Sequence, residues 1–465
     1  MSPNAPPPGS WRDVLAEGRL PRFALICLGV WLNAADALVT TTLMPSVGHA
    51  LGGFAYLGWA TAGYLLGSVL AGAGAGLMAQ RFGLRNSMAV AAGLYACGCL
   101  LSAAAPDMWT FLAGRLLQGV GGGLVTGLAS VAIGVLFPDR LVARVYAAIT
   151  GVWGIATLVG PLIGGLFADA GAWPWVFWLF AIQGLGVGLA ALVMLPGDRI
   201  DEGGQGIAWR QLGLIAVAVC AIGAADVMGG FGPAAALTAA GVAVLLWTVR
   251  LDARARVRLL PLGSGALATV PGATYAAMFL LTAASMGYSV YGPAILQTLR
   301  GYSALFAGYV IAAEAVGWTV AGLLVSHLTG PWPNRLMRIG AVCVAAGLAL
   351  CALAFRDWPL AAVITGGGLM GIGFGLSWAF MAQSLLAALP GDERAIGSAA
   401  INTVRITGAA VGAAGSAALA NLLGFAHGLT VPTAQAAAVW VFAASVPVAL
   451  LGVGAAWRLT AAREN

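Results

Sequence analysis

The chain has 465 residues, of which 60% are hydrophobic and 8% charged, and its mean hydropathy is +0.93. A soluble globular domain carries about 25% charged residues, so this composition excludes one and demands a protein that crosses a membrane many times. The formal net charge of +6 rests on 22 basic residues, all of them arginine; they sort by membrane side and do not mark a nucleic-acid partner.

Residues 1–21 hold a proline cluster and mixed charges without the apolar core of a signal peptide, and read as a cytoplasmic tail. Beyond them, apolar runs long enough to cross ~30 Å of hydrocarbon follow one another. The expected spans are 22–47, 55–79, 86–105, 108–136, 141–168, 174–195, 210–230, 233–250, 271–297, 304–328, 335–355, 358–388, 394–424 and 434–459. This threading makes an all-α polytopic membrane protein of about 14 helices with both termini cytoplasmic. It divides the chain into a six-helix bundle over 22–195, a linker with two inserted helices over 196–270, a second six-helix bundle over 271–459 and a short cytoplasmic tail over 460–465. About 18 of the 22 arginines then fall on the cytoplasmic side, Arg81, Arg85, Arg140, Arg144, Arg254, Arg256, Arg258, Arg335 and Arg338 among them. Only Arg300 and Arg356 fall outside, while Arg115 and Arg405 stay in the membrane. Removing the inserted pair leaves every other loop on its side, so twelve spans with a re-entrant hairpin satisfy the same rule.

In the span 108–136, Arg115, Gly119, Gly123 and Gly127 share one stripe of a helix with 3.6 residues per turn. Glycines spaced by four let membrane helices touch backbone to backbone, and a guanidinium in hydrocarbon must face partners or water. Close packing with a snorkelling arginine is the plainer alternative; both place this face inside a bundle. An internal repeat supports two halves: Gly119-Val-Gly121-Gly-Gly123-Leu124 returns as Gly371-Ile-Gly373-Phe-Gly375-Leu376, an offset of 252. Ala147-Ala148-Ile149 and Pro138 return at the same offset as Ala399-Ala400-Ile401 and Pro390. Transporters are built from repeated bundles of this kind around a midplane site.

Several stretches resemble the motifs of the major facilitator superfamily, in its branch of 14-helix drug:proton antiporters. Asp36-Ala-Leu-Val-Thr-Thr-Thr-Leu-Met-Pro45 resembles the acidic first-helix motif, and Trp59 with Tyr64-Leu-Leu the pattern that follows it. Gly76-Leu-Met-Ala-Gln80-Arg81-Phe-Gly83-Leu-Arg85 resembles the loop signature between helices two and three. Arg115 to Gly123 resembles the fourth-helix motif, and Gly160-Pro161-Leu-Ile-Gly164-Gly165 the fifth-helix motif that marks antiporters. Tyr291-Gly-Pro293 with Gln297 and Gly301-Tyr302-Ser303 resembles the outer loop that opens the second half. The resemblance implies two six-helix bundles with a pair of inserted helices, alternating access, and gating and packing roles for Arg81, Gly83, Arg85, Gly119, Gly123, Gly160, Pro161 and Gly164. Two departures stand out: Gln80 replaces the aspartate of the loop signature, and Ala156 replaces a glycine frequent in the antiporter motif. The charged gate implied by that aspartate does not carry over to Gln80.

Proton-driven export needs a group that binds a proton on one side and loses it on the other. Burial disfavours a carboxylate's charge and a nearby arginine favours it, so one helix moving past another can switch the proton on or off. Asp36, midway along the first span, is the first candidate, with a structural partner for a buried polar group as its alternative; Arg115 is the modulator. Glu314, also near mid-membrane, is a second proton site, a counter-charge for a cationic substrate, or a partner of Arg405 in the thirteenth span. Asp226 lies near the outer end of the inserted pair and reads as structural. Pro161 removes a backbone donor in a glycine-rich run and makes a hinge or a closely packed bend. Tyr64, Gln118, Tyr288, Trp318, Trp378 and Arg405 are the candidates for lining a substrate cavity, against the commoner alternative of packing.

No phosphate loop with lysine exists, and His49, His327 and His427 lie scattered near span ends, so enzymatic chemistry finds no footing. The six cysteines, Cys27, Cys97, Cys99, Cys220, Cys343 and Cys351, fall inside apolar runs without metal-ligand spacing. The expectation is a cofactor-free, monomeric antiporter in the inner (plasma) membrane of a bacterium, with protons, a small hydrophobic molecule such as a drug, and the lipid bilayer as its partners. A proton symporter for a metabolite, and an uncoupled sensor or lipid-handling protein, are the alternatives.

Overall fold

The computed structural model describes residues 11–15, 18–197, 206–225 and 230–464, and among them every regular element is a helix. That is what hydrocarbon imposes, since a helix satisfies its backbone donors and acceptors within one segment. A short α1 (Trp11–Leu15) precedes α2 (Arg19–Leu51), α3 (Leu57–Gly72), α4 (Ala75–Ala103), α5 (Met108–Leu136), α6 (Asp139–Asp169) and α7 (Pro174–Met194). Then come α8 (Trp209–Gly223), α9 (Phe231–Asp252), α10 (Val270–Arg300), α11 (Ala304–Val325), α12 (Trp332–Asp357), α13 (Leu360–Ala388), α14 (Arg394–Leu422) and α15 (Val431–Glu464). Among the described residues twelve are long and apolar enough to cross a membrane. The three others are the five-residue α1, α8, apolar but 15 residues long, and α14, whose 29 residues are diluted by Arg394, Asn402, Arg405 and Asn421. Each expected span has its helix; Asp226 lies outside the described residues.

One boundary differs from expectation. α3 stops at Gly72, seven residues short of the expected end at 79, and the break expected at 80–85, inside the loop signature, is helical within α4 apart from Gly83. Leu77, Met78, Ala79, Gln80 and Arg81 are strong helix formers, which the pattern reading overrode. The chain turns instead at Gly83, whose φ of 78° belongs to the left-handed region that glycine enters without steric cost. Across this bend the Ser87 hydroxyl donates to the Met78 carbonyl at 2.9 Å, and the Arg85 Nε donates to the Leu195 carbonyl just past α7 at 2.8 Å.

The chain forms two compact units. The first comprises Met1–Val39, Gly67–Gly160 and Pro174–Ile207; the second comprises Thr40–Leu66, Pro161–Trp173 and Ala208–Asn465. The division cuts α2, α3 and α6, the last between Gly160 and Pro161.

Within the first unit α5 packs on α4, and α4 on α7, with Phe111 and Phe177 edge to face at 5.4 Å. Glycines set the spacing. A Cβ on Gly121 would lie 2.6 Å from Cα of Tyr95, and one on Gly98 2.5 Å from the Gln118 nitrogen. On α3, a Cβ on Gly67 would lie 2.5 Å from the Leu116 carbonyl and 2.9 Å from the Val120 nitrogen.

The second unit repeats these contacts at shifted registers. On α11 a Cβ at Gly317 would meet the Gly368 carbonyl and the Ile372 nitrogen, each 252 residues after the atoms facing Gly67, although Gly317 itself follows Gly67 by 250. On α12 a Cβ at Gly347 would meet Gly366 and Met370, the counterparts of Gly114 and Gln118, at an offset of 249 from Gly98. So α3, α4 and α5 correspond to α11, α12 and α13. The inserted helices α8 and α9 pack on each other and on α14, where Ala225, Ala234 and Ala418 form a small apolar cluster.

Residues 253–269, between α9 and α10, are pinned by two buried carboxylates. Asp252 accepts the backbone N–H groups of Leu259 and Leu260 at 2.8 and 2.9 Å and the Gln211 amide at 3.0 Å. Glu393 accepts the Leu262 N–H at 2.8 Å and pairs with Arg258 at 2.7 Å.

These packing distances predict opposite signs for one substitution at two sites. Gly121→Ala drives a methyl into α4 and should cost about 1–3 kcal/mol. Gly134→Ala, where nothing lies within 4 Å, should stabilise by a few tenths to about 1 kcal/mol through helix propensity alone. Apparent unfolding midpoints of the purified variants in detergent check both.

Candidate functional site

The first unit holds a polar chain inside its apolar core. Asp36 on α2 and Arg115 on α5 are buried, 0% and 1% exposed, and form an ion pair with Nη1 2.8 Å from Oδ1. Along α5, Gly114 and Gly123 carry no side chains, which lets it lie close to Ser102 of α4 and Ser68 of α3. The same Nη1 donates to Oε1 of Gln118 at 2.6 Å, three residues on and so on the same helix face. Gln118 in turn donates its amide to the Cys99 sulfur on α4 at 3.0 Å. Of the sequence candidates, then, Asp36, Arg115 and Gln118 are brought together; Gln118 is fully buried and holds the arginine. Cys99, in the sequence one of six cysteines inside apolar runs, is revealed only by the fold as a member of this chain.

Near this network Gly160 stands where a Cβ would lie 2.7 Å from that of Leu38, so α6 crosses α2 two residues from Asp36. Arg81 is exposed, with its guanidinium 5.6 Å from the Phe82 ring centroid. Gly83 and Arg85 shape the bend in α4 and its tie to α7.

In the second unit the corresponding place is filled differently. Tyr288 follows Asp36 by 252 residues, and Gly367 follows Arg115 by the same number. A Cβ on Gly367 would lie 2.7 Å from Tyr288 Cζ, so the phenol occupies the room that an arginine takes in the first unit. Tyr288 is fully buried; its hydroxyl donates to the Val310 or Ile311 carbonyl, at 3.3 and 3.4 Å, and it leaves no surface for a ligand.

Glu314 stands 250 residues after Tyr64, the register at which Gly317 answers Gly67, so on α11 it holds the position that Tyr64 holds on α3. Tyr64 is 2% exposed. Glu314 is half-buried, and a side-chain hydrogen bond joins it to Ser289, a residue the sequence did not single out. Four residues on, Trp318 stacks on Phe374 of α13 at 4.9 Å, with Trp378 at 5.6 Å. The two predicted tryptophans therefore meet on one surface with Phe374, and the carboxylate stands one helical turn away. Arg405 does not neutralise Glu314: its guanidinium donates to Oδ1 of Asn402 at 3.1 Å, and no ion pair joins the two among the described residues. Gly164 and Pro161 are buried in α6, where Pro161 lies against Gly308 of α11.

Comparison with known proteins bears on this arrangement. A family model described as Major Facilitator Superfamily matches residues 26–413. A probable multidrug-efflux transporter of Mycobacterium tuberculosis is 31% identical over 435 residues, covering 89% of this chain and 90% of that protein. The multidrug resistance protein Stp of the same species is 25% identical over 404 residues, covering 83% of this chain and 73% of its own length. Among solved structures, a peptide transporter POT in complex with sulfate superposes with a TM-score of 0.69 at 14% identity, over 95% of both chains. A D-xylose-proton symporter gives 0.62 at 18% identity, over 92% of this chain and 97% of the other. At such identities the structural likeness speaks for the fold alone.

The ion pair should behave as a coupled unit. Asp36→Leu or Arg115→Leu alone strands a buried charge and should cost about 3–5 kcal/mol, whereas the double substitution removes both charges and should recover a large part of that loss. Unfolding midpoints of the four proteins test it, and simply additive losses would exclude the coupling.

Proposed function

The chain belongs to the major facilitator superfamily, and from that premise we propose that it exports hydrophobic small molecules, cationic ones included, in exchange for protons entering across a bacterial plasma membrane. It is a multi-pass membrane transporter and not an enzyme. The buried Asp36–Arg115 ion pair is the observation that carries the proton half of this reading. A carboxylate parted from its guanidinium in an apolar setting neutralises itself by taking a proton, and one rejoined to it gives the proton up. Asp36 and Arg115 sit on different helices, so a shift of α5 against α2 is enough to make and break the pair. Gln118 and Cys99 hold the arginine on its own side of that shift. Each proton entering down about 100 mV supplies ~2.3 kcal/mol, enough to concentrate a neutral substrate tens-fold.

Glu314 with the Trp318, Phe374 and Trp378 cluster is the substrate side of the reading, since aromatic faces and a carboxylate together attract a flat organic cation. The names of the two mycobacterial relatives, which refer to multidrug efflux and multidrug resistance, support export as the direction. Uptake is the second reading, because a proton symporter for D-xylose shares the fold.

The test is proton release from acid-loaded inside-out vesicles on adding a panel of lipophilic cations and neutral drugs. A compound should dissipate the pH gradient through the unaltered protein. Asp36→Asn should abolish the response while the compound still binds, and Glu314→Gln should weaken cations more than neutral compounds. Proton movement only with substrate uptake into right-side-out vesicles would reverse the direction, and silence in both would remove proton coupling.

A further inference from the structure

We propose that Asp169 is an electrostatic latch, which holds the end of α6 closed on α11 by clasping the start of that helix. The last residue of α6, Asp169 reaches 135 positions along the chain: its Oδ1 accepts the Ala304 N–H at 2.8 Å, and its Oδ2 the Leu305 N–H at 3.3 Å. The first N–H groups of a helix have no partner inside it and carry partial positive charge. Here Ser303 already serves as the helix's own cap, its hydroxyl accepting the Phe306 N–H at 3.2 Å and its carbonyl the Ala307 N–H at 3.0 Å. The two donors that Ser303 leaves open are the two that Asp169 takes. A carboxylate supplied by a remote helix therefore completes the cap, and it is bound there by charge as well as by hydrogen bonds.

The surroundings are built for the same contact. Gly165, one turn before Asp169, presents bare backbone to Leu305, and Gly308, one turn into α11, admits Pro161 and the Thr42 hydroxyl, each 3.0 Å from where its Cβ would be. The latch thus closes over a seam of α6 on α11 in which small residues bring the backbones together. Asp169 itself is exposed, so water can replace its hold on α11 at little cost, as a contact that must open and close requires. The segment that carries it, Pro161–Trp173, adjoins the point where α6 passes from one compact unit to the other. Motion at that point is what would lift Asp169 from α11.

Asp107 offers a matched control. It is also an exposed capping carboxylate, accepting the Thr110 N–H at 2.8 Å, but it caps the helix that it begins. The experiment labels Thr42→Cys, a position 2% exposed in this closed seam, with a membrane-impermeant maleimide; the protein without that substitution supplies the background of its own cysteines. Asp169→Ala should raise the labelling rate about tenfold, and Asp107→Ala should leave it unchanged. An unchanged rate in Asp169→Ala overturns the latch, as does an equal rise in both, which would mean that any lost cap loosens the fold. A Cys pair at Asp169 and Ala304 approaches it from the other side: once oxidised, it should stop the labelling of Thr42→Cys, and labelling that persists beside a formed disulfide overturns the latch too. The proposal rests on alternating access but not on protons or substrate, so absent proton flux would leave it standing while removing antiport.

Discussion

Backbone-to-backbone contact along α5 and α13 is the constraint on which the rest of the molecule depends. In a bilayer, apolar side chains gain nothing by leaving lipid for protein, so helices associate where small residues let their backbones touch. Gly98, Gly114 and Gly121 seat α4 on α5, and Gly67 seats α3 on it; Gly347, Gly366 and Gly373 do the same for α12 and α13, and Gly317 for α11. Once the central helix of each half is gripped on two sides, its remaining face is fixed to within a fraction of a turn. That face is where Arg115 and Gly367 stand.

The two halves spend that face in different ways. In the first, Arg115 meets Asp36, and Gln118 and Cys99 carry the polar chain on to α4. In the second, glycine replaces the arginine, and Tyr288 fills the vacancy from the position that answers Asp36. A buried pair of opposite charges is poor cement, since desolvation offsets most of its attraction, but it is a good switch. A tyrosine lodged in a glycine notch is the reverse, well packed and without a charge to change. The acid of the second half sits one helix away, Glu314 in the slot of Tyr64, half-buried beside Ser289 and an aromatic surface. The two halves thus share a symmetry of shape while the chemistry differs between them.

Outside the hydrocarbon the same economy governs the polar ends. Asp252 and Glu393 bind the irregular segment 253–269 through backbone N–H groups, and Arg300 donates to the Ala354, Phe355 and Trp358 carbonyls at the end of α12. Each of these spends a charge on helix-end or loop groups that have no partner of their own. Such ties make the inserted pair α8 and α9 part of the second unit's framework, joined through Gln211, Asp252 and the cluster around Ala418.

Hydropathy placed the helices and gave their order, because ~20 apolar residues in succession have few other fates, while leaving open whether the inserted pair spans; the glycine stripe and Arg115 announced where helices would touch and where a charge would need a partner. The bend at Gly83 was hidden: the helix formers Leu77 to Arg81 gave a hint of helix, but a glycine there does not by itself say whether it ends a helix or bends one. The 252-residue repeat was legible on α5 with α13 and on α6 with α14, but not on the helices before them. Loops of different length shift α3 against α11 to 250 and α4 against α12 to 249, so Glu314 showed no kinship with Tyr64 until the helices were packed. Composition and spacing are properties of one helix at a time, and they determined the spans and the candidates. Which candidates meet, Asp36 with Arg115 and Gln118 but not Glu314 with Arg405, is a property of several helices at once, and only the tertiary structure decided it.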